Sequence, residues 1–102
     1  MVKLWYEDFP QIIYDNEPTK WFKLFIKFTN EFPVKIKKIL IYQLFNIEIV
    51  LKYNNNTYQL YKNDVEIEEN CDLVQEKIWE FEIQMIPKLP VNKLDINCEI
   101  TF

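Results

Sequence analysis

Trp79-Glu80-Phe81-Glu82-Ile83-Gln84-Met85 alternates apolar and polar residues without a fault, and Leu94-Asp95-Ile96-Asn97-Cys98-Glu99-Ile100-Thr101-Phe102 does the same to the end of the sequence. Side chains two residues apart share one face of an extended chain, so each run reads as a half-buried β-strand. Pro87-Lys88-Leu89-Pro90 lies between them. Two amphipathic strands joined by a proline-bounded connection predict a closing antiparallel hairpin. On that reading Glu80, Glu82, Asp95 and Glu99 project from a single sheet face, where like charges sit close together unless lysines offset them. Lys35 and Lys37 are the lysines expected to do so, if their strand lies beside this hairpin. A helix over 72–85, capped by Asp72 and Gln75 with Val74, Ile78, Phe81 and Met85 on one face, is the rival reading. The unbroken alternation decides for the strand.

Outward from this pair, the other segments carry strand and turn signals. Val65-Glu66-Ile67-Glu68 is a short strand after an Asn63-Asp64 turn. Ile47, Ile49, Leu51 and Tyr53 alternate up to Asn54-Asn55-Asn56-Thr57, and Tyr58 and Leu60 resume beyond it; a tight turn at Asn55-Asn56 sets Tyr53 opposite Tyr58 and Leu51 opposite Leu60. In Val34 to Tyr42 the alternation breaks at Lys37-Lys38, which predicts a bulge or bend in a strand that changes partners. Asn30-Glu31-Phe32-Pro33 reads as a turn. Trp21 to Thr29 fits both periods, and its aromatics and isoleucine favour a strand with Phe22, Leu24, Ile26 and Phe28 inward. Val2 to Tyr6, ending near Pro10, suits a sheet edge, where partners add on.

Composition narrows the function classes. The 102 residues are 49% apolar and 17% aromatic, enough for one self-sufficient core over 1–102. Glycine and histidine are absent, as are alanine, serine and arginine. Asn, Ile, Lys, Tyr and Phe are abundant, the bias of an AT-rich coding sequence such as a virus, phage, protist or Firmicute carries. Without glycine there is no phosphate-cradling loop, and without serine or histidine there is no Ser-His or Cys-His nucleophile pair and no imidazole ligand. These absences leave no catalytic residue, metal ligand or cofactor site to nominate, and a non-enzyme is expected.

The net charge of −4 argues against nucleic acid or anionic lipid as a direct partner. Residues 1–19 hold one lysine and four acids, residues 20–61 seven lysines and two acids, and residues 62–102 four lysines and ten acids. Basic and acidic strands are therefore expected to become neighbours and neutralise one another. No apolar run is long enough for a membrane span or a signal core, so a soluble, cytoplasmic protein is expected. Cys98 reads as a small core residue and Cys71 as a free, unreactive thiol.

Phe28-Thr29-Asn30-Glu31-Phe32-Pro33-Val34-Lys35-Ile36 resembles the strand, Asn turn, Pro-Val and strand sequence at the second and third strands of immunoglobulin-like domains, among them those of trafficking tethers, arrestin-like proteins and ciliary proteins. The closing pair of strands is similar to their last two. The resemblance implies an all-β fold, an antiparallel immunoglobulin-like β-sandwich of about eight strands, and no particular activity.

Three groups of residues invite a functional reading. Asp64, Glu66, Glu68, Glu69 and Asp72 hold oxygen enough for calcium, but alternating glutamates read better as a solvated sheet face. Glu80 and Glu82 are paired carboxylates that any acidic strand shows. Trp21 and Phe25 beside Lys23 and Lys27, on the side opposite the core, form a partner-binding surface, an aromatic-basic platform for single-stranded nucleic acid, against which the net charge argues, or a patch covered by another segment such as Trp5 or the chain between residues 9 and 14. The expectation is a protein-protein interaction module, binding through an edge strand or through Trp21, Lys23, Phe25, Lys27 and the acidic residues Glu80, Glu82, Asp95 and Glu99. The alternative is a small acidic viral or phage inhibitor that occupies a nucleic-acid-binding groove of a host protein.

Overall fold

The computed structural model describes residues 1–45, 47–61, 63–70, 72–88 and 94–102; Cys71 and the Leu89-Pro90 half of the last connection lie outside them. The described residues form strands β1 (Val2–Glu7), β2 (Phe22–Val34), β3 (Lys38–Gln43), β4 (Glu48–Tyr53), β5 (Asn56–Gln59), β6 (Val65–Glu68), β7 (Val74–Ile86) and β8 (Ile96–Thr101). All pairings are antiparallel. One sheet has the order β1-β2-β7-β4-β5 and the other β6-β3-β8.

The alternation found in the sequence sets which side of each strand is buried. Trp79, Phe81, Ile83 and Met85 of β7 pack in one core with Phe22, Leu24, Ile26 and Phe28 of β2, Ile49 and Leu51 of β4, Ile39 and Ile41 of β3, Val65 and Ile67 of β6, and Ile96 of β8. Each such side chain contributes about 1.5–3 kcal/mol by leaving water. The helix considered for 72–85 does not form; the whole of that segment after Leu73 is strand.

The closing hairpin does not form either. β7 lies at the centre of the five-stranded sheet between β2 and β4, and β8 lies in the other sheet beside β3. Alternation tells which face of a strand is buried but not which strand is its neighbour. Charge supplies the reason: on the outer face β7 carries Glu76, Glu80 and Glu82, and its neighbours bring Lys23, Lys27 and Lys52, with Lys23 and Lys52 both in register with Glu82. Pairing with β8 would have set Glu99 and Asp95 beside those glutamates instead.

Two local readings shift. Asn30 to Pro33 is no turn but a bulged continuation of β2, because Thr29 pairs Glu76 while Val34 pairs Val74, leaving several extra residues on β2. Asn30 Nδ2 donates to Phe32 O (3.0 Å) and Gln75 Nε2 to Glu31 O (2.9 Å), which satisfies the bulge. In the β4–β5 hairpin the turn falls at Asn54-Asn55, both with positive φ (51° and 66°), as a two-residue turn with both central residues left-handed requires. Tyr53 therefore pairs Asn56, and Leu51 pairs Tyr58. The shift is by two residues, so every side chain keeps its predicted face.

The break at Lys37-Lys38 is where the chain passes between sheets. Lys37 N donates to Thr101 O (2.7 Å) although Lys38 is in register with Thr101, so two residues oppose one, the count of a bulge. The chain returns to the first sheet after β3, pinned by Gln43: its Nε2 donates to Ile47 O (2.7 Å) and Leu60 O, and its Oε1 accepts from Ile47 N (3.2 Å). The β1–β2 connection is seated against the end of β7 by Thr19, whose N donates to Met85 O (2.9 Å) and whose Oγ1 accepts from Met85 N (3.2 Å).

Candidate functional site

The outer face of the five-stranded sheet gathers six of the eight predicted surface residues. Glu7, Lys23, Glu82 and Lys52 stand in one register row across β1, β2, β7 and β4, alternating in sign. Lys23 Nζ lies 3.1 Å from Glu80 and Lys27 Nζ 3.0 Å from Glu76. The Glu80 hydrogen bond and charge raise the Lys23 ammonium above its ordinary value. Phe25 is stacked by Trp5 at 5.2 Å with the planes 10° apart, and Lys52 Nζ sits 4.2 Å from the centre of the Trp21 ring. Covering of Phe25 by Trp5 is thus what the structure shows. The face is knitted together by its own residues.

Asp95 and Glu99 belong elsewhere. Glu99 is on the outside of β8 in the three-stranded sheet, and Asp95 precedes that strand, accepting from Asn97 Nδ2 (2.9 Å) and, through its carbonyl, from Leu44 N (3.3 Å). No acidic face unites the four carboxylates. Lys35 and Lys37 offset none of them, being placed in the passage between β2 and β3. The expected mutual neutralisation of the basic 20–61 and acidic 62–102 stretches does occur: Lys23–Glu80, Lys27–Glu76 and Lys38–Glu66 (2.7 Å) each join one to the other.

The acidic run 64–72 is not uniformly solvated. Glu69 turns inward, and its carboxylate receives Trp79 Nε1 (3.0 Å), Lys77 Nζ (3.2 Å) and Tyr53 Oη (3.4 Å). Lys77 occupies an inward position of β7, opposite Phe28, so its charge requires this partner. Sequence reasoning missed the cluster. The available signal was that Lys77 interrupts the apolar series continued by Trp79 on the same face.

The strand edges are the remaining feature. Met1 and Thr29 exchange both backbone hydrogen bonds (2.7 and 2.9 Å), so by alternation Lys3, Trp5 and Glu7 bond to β2, while the N–H and C=O groups of Val2, Leu4 and Tyr6 face away from the sheet. The bond from Leu44 N to Asp95 O fixes the same alternation on β8. Asn97, Glu99 and Thr101 bond to β3, and Ile96, Cys98 and Ile100 face outward along the edge. β1 and β8 approach each other, one on each sheet, without pairing. Val2, Leu4, Tyr6, Leu94, Cys98 and Ile100 pack on the core from this side and are only partly buried. That β1 is an edge was legible from Pro10; the β8 edge was hidden by the expected hairpin.

Two titratable groups report on this side. Burial, the larger influence, raises the Tyr6 phenol from 10.0 to about 12, opposed by a hydrogen bond with the Ile96 backbone and reinforced by Asp95. Burial, with a smaller part from Glu99, raises the Cys98 thiol from 9.0 to about 11. A raised value means that the folded state holds the proton more tightly, so the associated stability is complete below the ordinary value and is lost as pH rises through the raised one. Urea midpoints are expected to hold up to about pH 9 and to fall progressively between about pH 9 and 12. In Tyr6→Phe the part of the fall above pH 10 should shrink. An unchanged alkaline limb in that variant would contradict the placement of Tyr6.

No protein-family model, curated protein or solved structure matches this chain.

Proposed function

We propose that this protein is a non-catalytic protein-interaction module that binds through a strand edge. What carries the reading is the contrast between two surfaces: the outer sheet face around Trp21, Lys23, Phe25, Lys27, Glu80 and Glu82 spends its charges and rings on one another, whereas β1 and β8 offer backbone donors and acceptors with no strand beside them among the described residues. Unpaired backbone groups beside half-buried apolar side chains are the elements of recognition by strand addition.

We read the fold as an immunoglobulin-like β-sandwich, with support from strand order. In constant-type immunoglobulin domains one sheet runs A-B-E-D and the other holds C beside F. Here β1-β2-β7-β4 takes the first order and β3 beside β8 takes the place of C and F. β7 and β8 then correspond to E and F, which lie in different sheets; the hairpin expected from sequence assigned them one strand too late. No described helix is long and apolar enough to cross a membrane. The alternative of an acidic inhibitor draws no support from the divided placement of Glu80 and Glu82 against Asp95 and Glu99.

The test is affinity capture of partner proteins from the source organism with three variants. Leu4→Pro and Ile100→Pro each remove one outward-facing edge N–H without touching a ladder bond, and Glu82→Lys with Trp21→Ser alters the sheet face. Loss of partners with an edge variant and retention with the face variant is the expected result. The reverse pattern would overturn the reading.

A further inference from the structure

We propose that the binding edge is β8, and that it takes an extended segment of a partner protein about as long as β8, apolar at alternate positions and basic between them. This rests on the strand-edge reading above and names which edge and what occupant. Among the described residues four strands lie at sheet edges, and three of them are guarded. β5 and β6 are four residues each, and β6 carries Glu66 and Glu68; β1 carries charges at Lys3 and Glu7. β8 has six residues, Ile96-Asn97-Cys98-Glu99-Ile100-Thr101, with a single charge, and so has least of the usual protection against strand addition.

The strand order points the same way. In the immunoglobulin arrangement a further strand, G, lies beyond F, and the corresponding position here is the side of β8 that has no strand beside it among the described residues. A segment laid there would bond to the outward backbone groups of Cys98 and Ile100 and to the Ile96 carbonyl. The phenol of Tyr6 already engages the Ile96 backbone at one end. Because strand side chains alternate, every second residue of the incoming segment would point inward beside Ile96, Cys98 and Ile100 and over Val2, Leu4 and Tyr6. Those positions are only partly covered, Ile96 excepted, and call for apolar side chains.

The intervening residues would stand on the outer face beside Asn97, Glu99 and Thr101. Glu99 makes no ion pair among the described residues, while Glu66, across Leu40 from it, is already held by Lys38. A lysine or arginine on the incoming strand next to Glu99 gives an opposite-charge cross-strand pair. This also disfavours a second copy of β8 as the occupant, since residues 94–102 contain Asp95 and Glu99 and no lysine.

The probe is a synthetic eight-residue peptide alternating valine and lysine, compared with one alternating valine and glutamate. Amide exchange is followed by NMR on the full chain. With the lysine peptide, the Cys98 and Ile100 amides should become protected, and the glutamate peptide should protect them at least about tenfold less well at equal concentration. Glu99→Lys should reverse that preference, and Ile100→Pro should abolish binding of both peptides. Should the proline variant fail to fold, Glu99→Lys alone decides, since it alters a solvent-facing side chain. Protection appearing at Val2, Leu4 and Tyr6 instead would overturn the choice of β8 and leave the strand-edge reading standing. Protection at neither edge, with partner capture lost only in the sheet-face variant, would overturn both. Concentration-dependent dimerisation that itself protects Cys98 and Ile100 would assign the edge to a second copy and overturn the proposed occupant.

Discussion

Trp79→Ala is expected to lower stability by about 3–5 kcal/mol, the usual cost of emptying a buried aromatic site. Trp79 is 1% exposed and sits on the central strand of the larger sheet, between Ile26 of β2 and the core side chains of the second sheet. Its loss opens a cavity lined from both sheets, and neither sheet can close it without giving up its register. The same substitution removes the Nε1 donor from Glu69. A domain of this size has roughly 5–15 kcal/mol in total, so much of the chain should be unfolded at moderate urea where the wild type is native. Trp79→Phe keeps most of the apolar volume and loses the hydrogen bond, and should fall in between. Equilibrium urea curves for the three proteins give the comparison; a Trp79→Ala midpoint within experimental error of wild type would contradict the core described here.

Glu69→Ala should cost about 2–3 kcal/mol, whereas Glu68→Ala, one residue away in the same acidic run, should cost no more than about 0.5 kcal/mol. Glu68 is exposed on the outer face of β6. The Glu69 side chain is 11% exposed and accepts from three donors on two strands of the other sheet. Removing it strands the Lys77 ammonium on the inner face of β7 and leaves the Trp79 indole N–H without its partner. Burial, with Glu69 next in importance, also raises the Tyr53 phenol. Spectrophotometric titration of Glu69→Ala should therefore show one tyrosine returning toward its ordinary value. Equal costs at positions 68 and 69 would show that the carboxylate holds nothing in place.

The strands themselves were legible because a period of two is written in the side chains: Trp79 to Met85 and Phe22 to Phe28 bury the residues that alternation assigns, and in Ile96 to Ile100 those residues pack on the core, with Cys98 and Ile100 partly covered. Neighbour relations were less legible. The hairpin of β4 and β5 was readable because two asparagines can take left-handed conformations, and only the choice of which two was displaced. Between β7 and β8 no such local chemistry fixes a turn, and adjacency in sequence proved a poor guide to adjacency in a sheet. Charge held the missing information. The lysines at 23, 27 and 52 have their counterparts at 76, 80 and 82, and the pairing of β2 and β4 with β7 follows from that complementarity. The Glu69 cluster was obscured for another reason: a glutamate in an acidic run looks solvated until the inward lysine on a distant strand is placed beside it.

The strand-edge account depends on β8 pairing with β3 alone, and residue-resolved amide exchange with Hα–Hα cross-peaks tests this most directly. The account predicts slow exchange at Asn97 and Glu99, fast exchange at Cys98 and Ile100, and cross-peaks joining Ile41 to Cys98 and Ile39 to Ile100. Protection at Cys98 and Ile100 in the isolated chain, with cross-peaks from β8 to Phe81 or Ile83, would place β8 against β7 and contradict it.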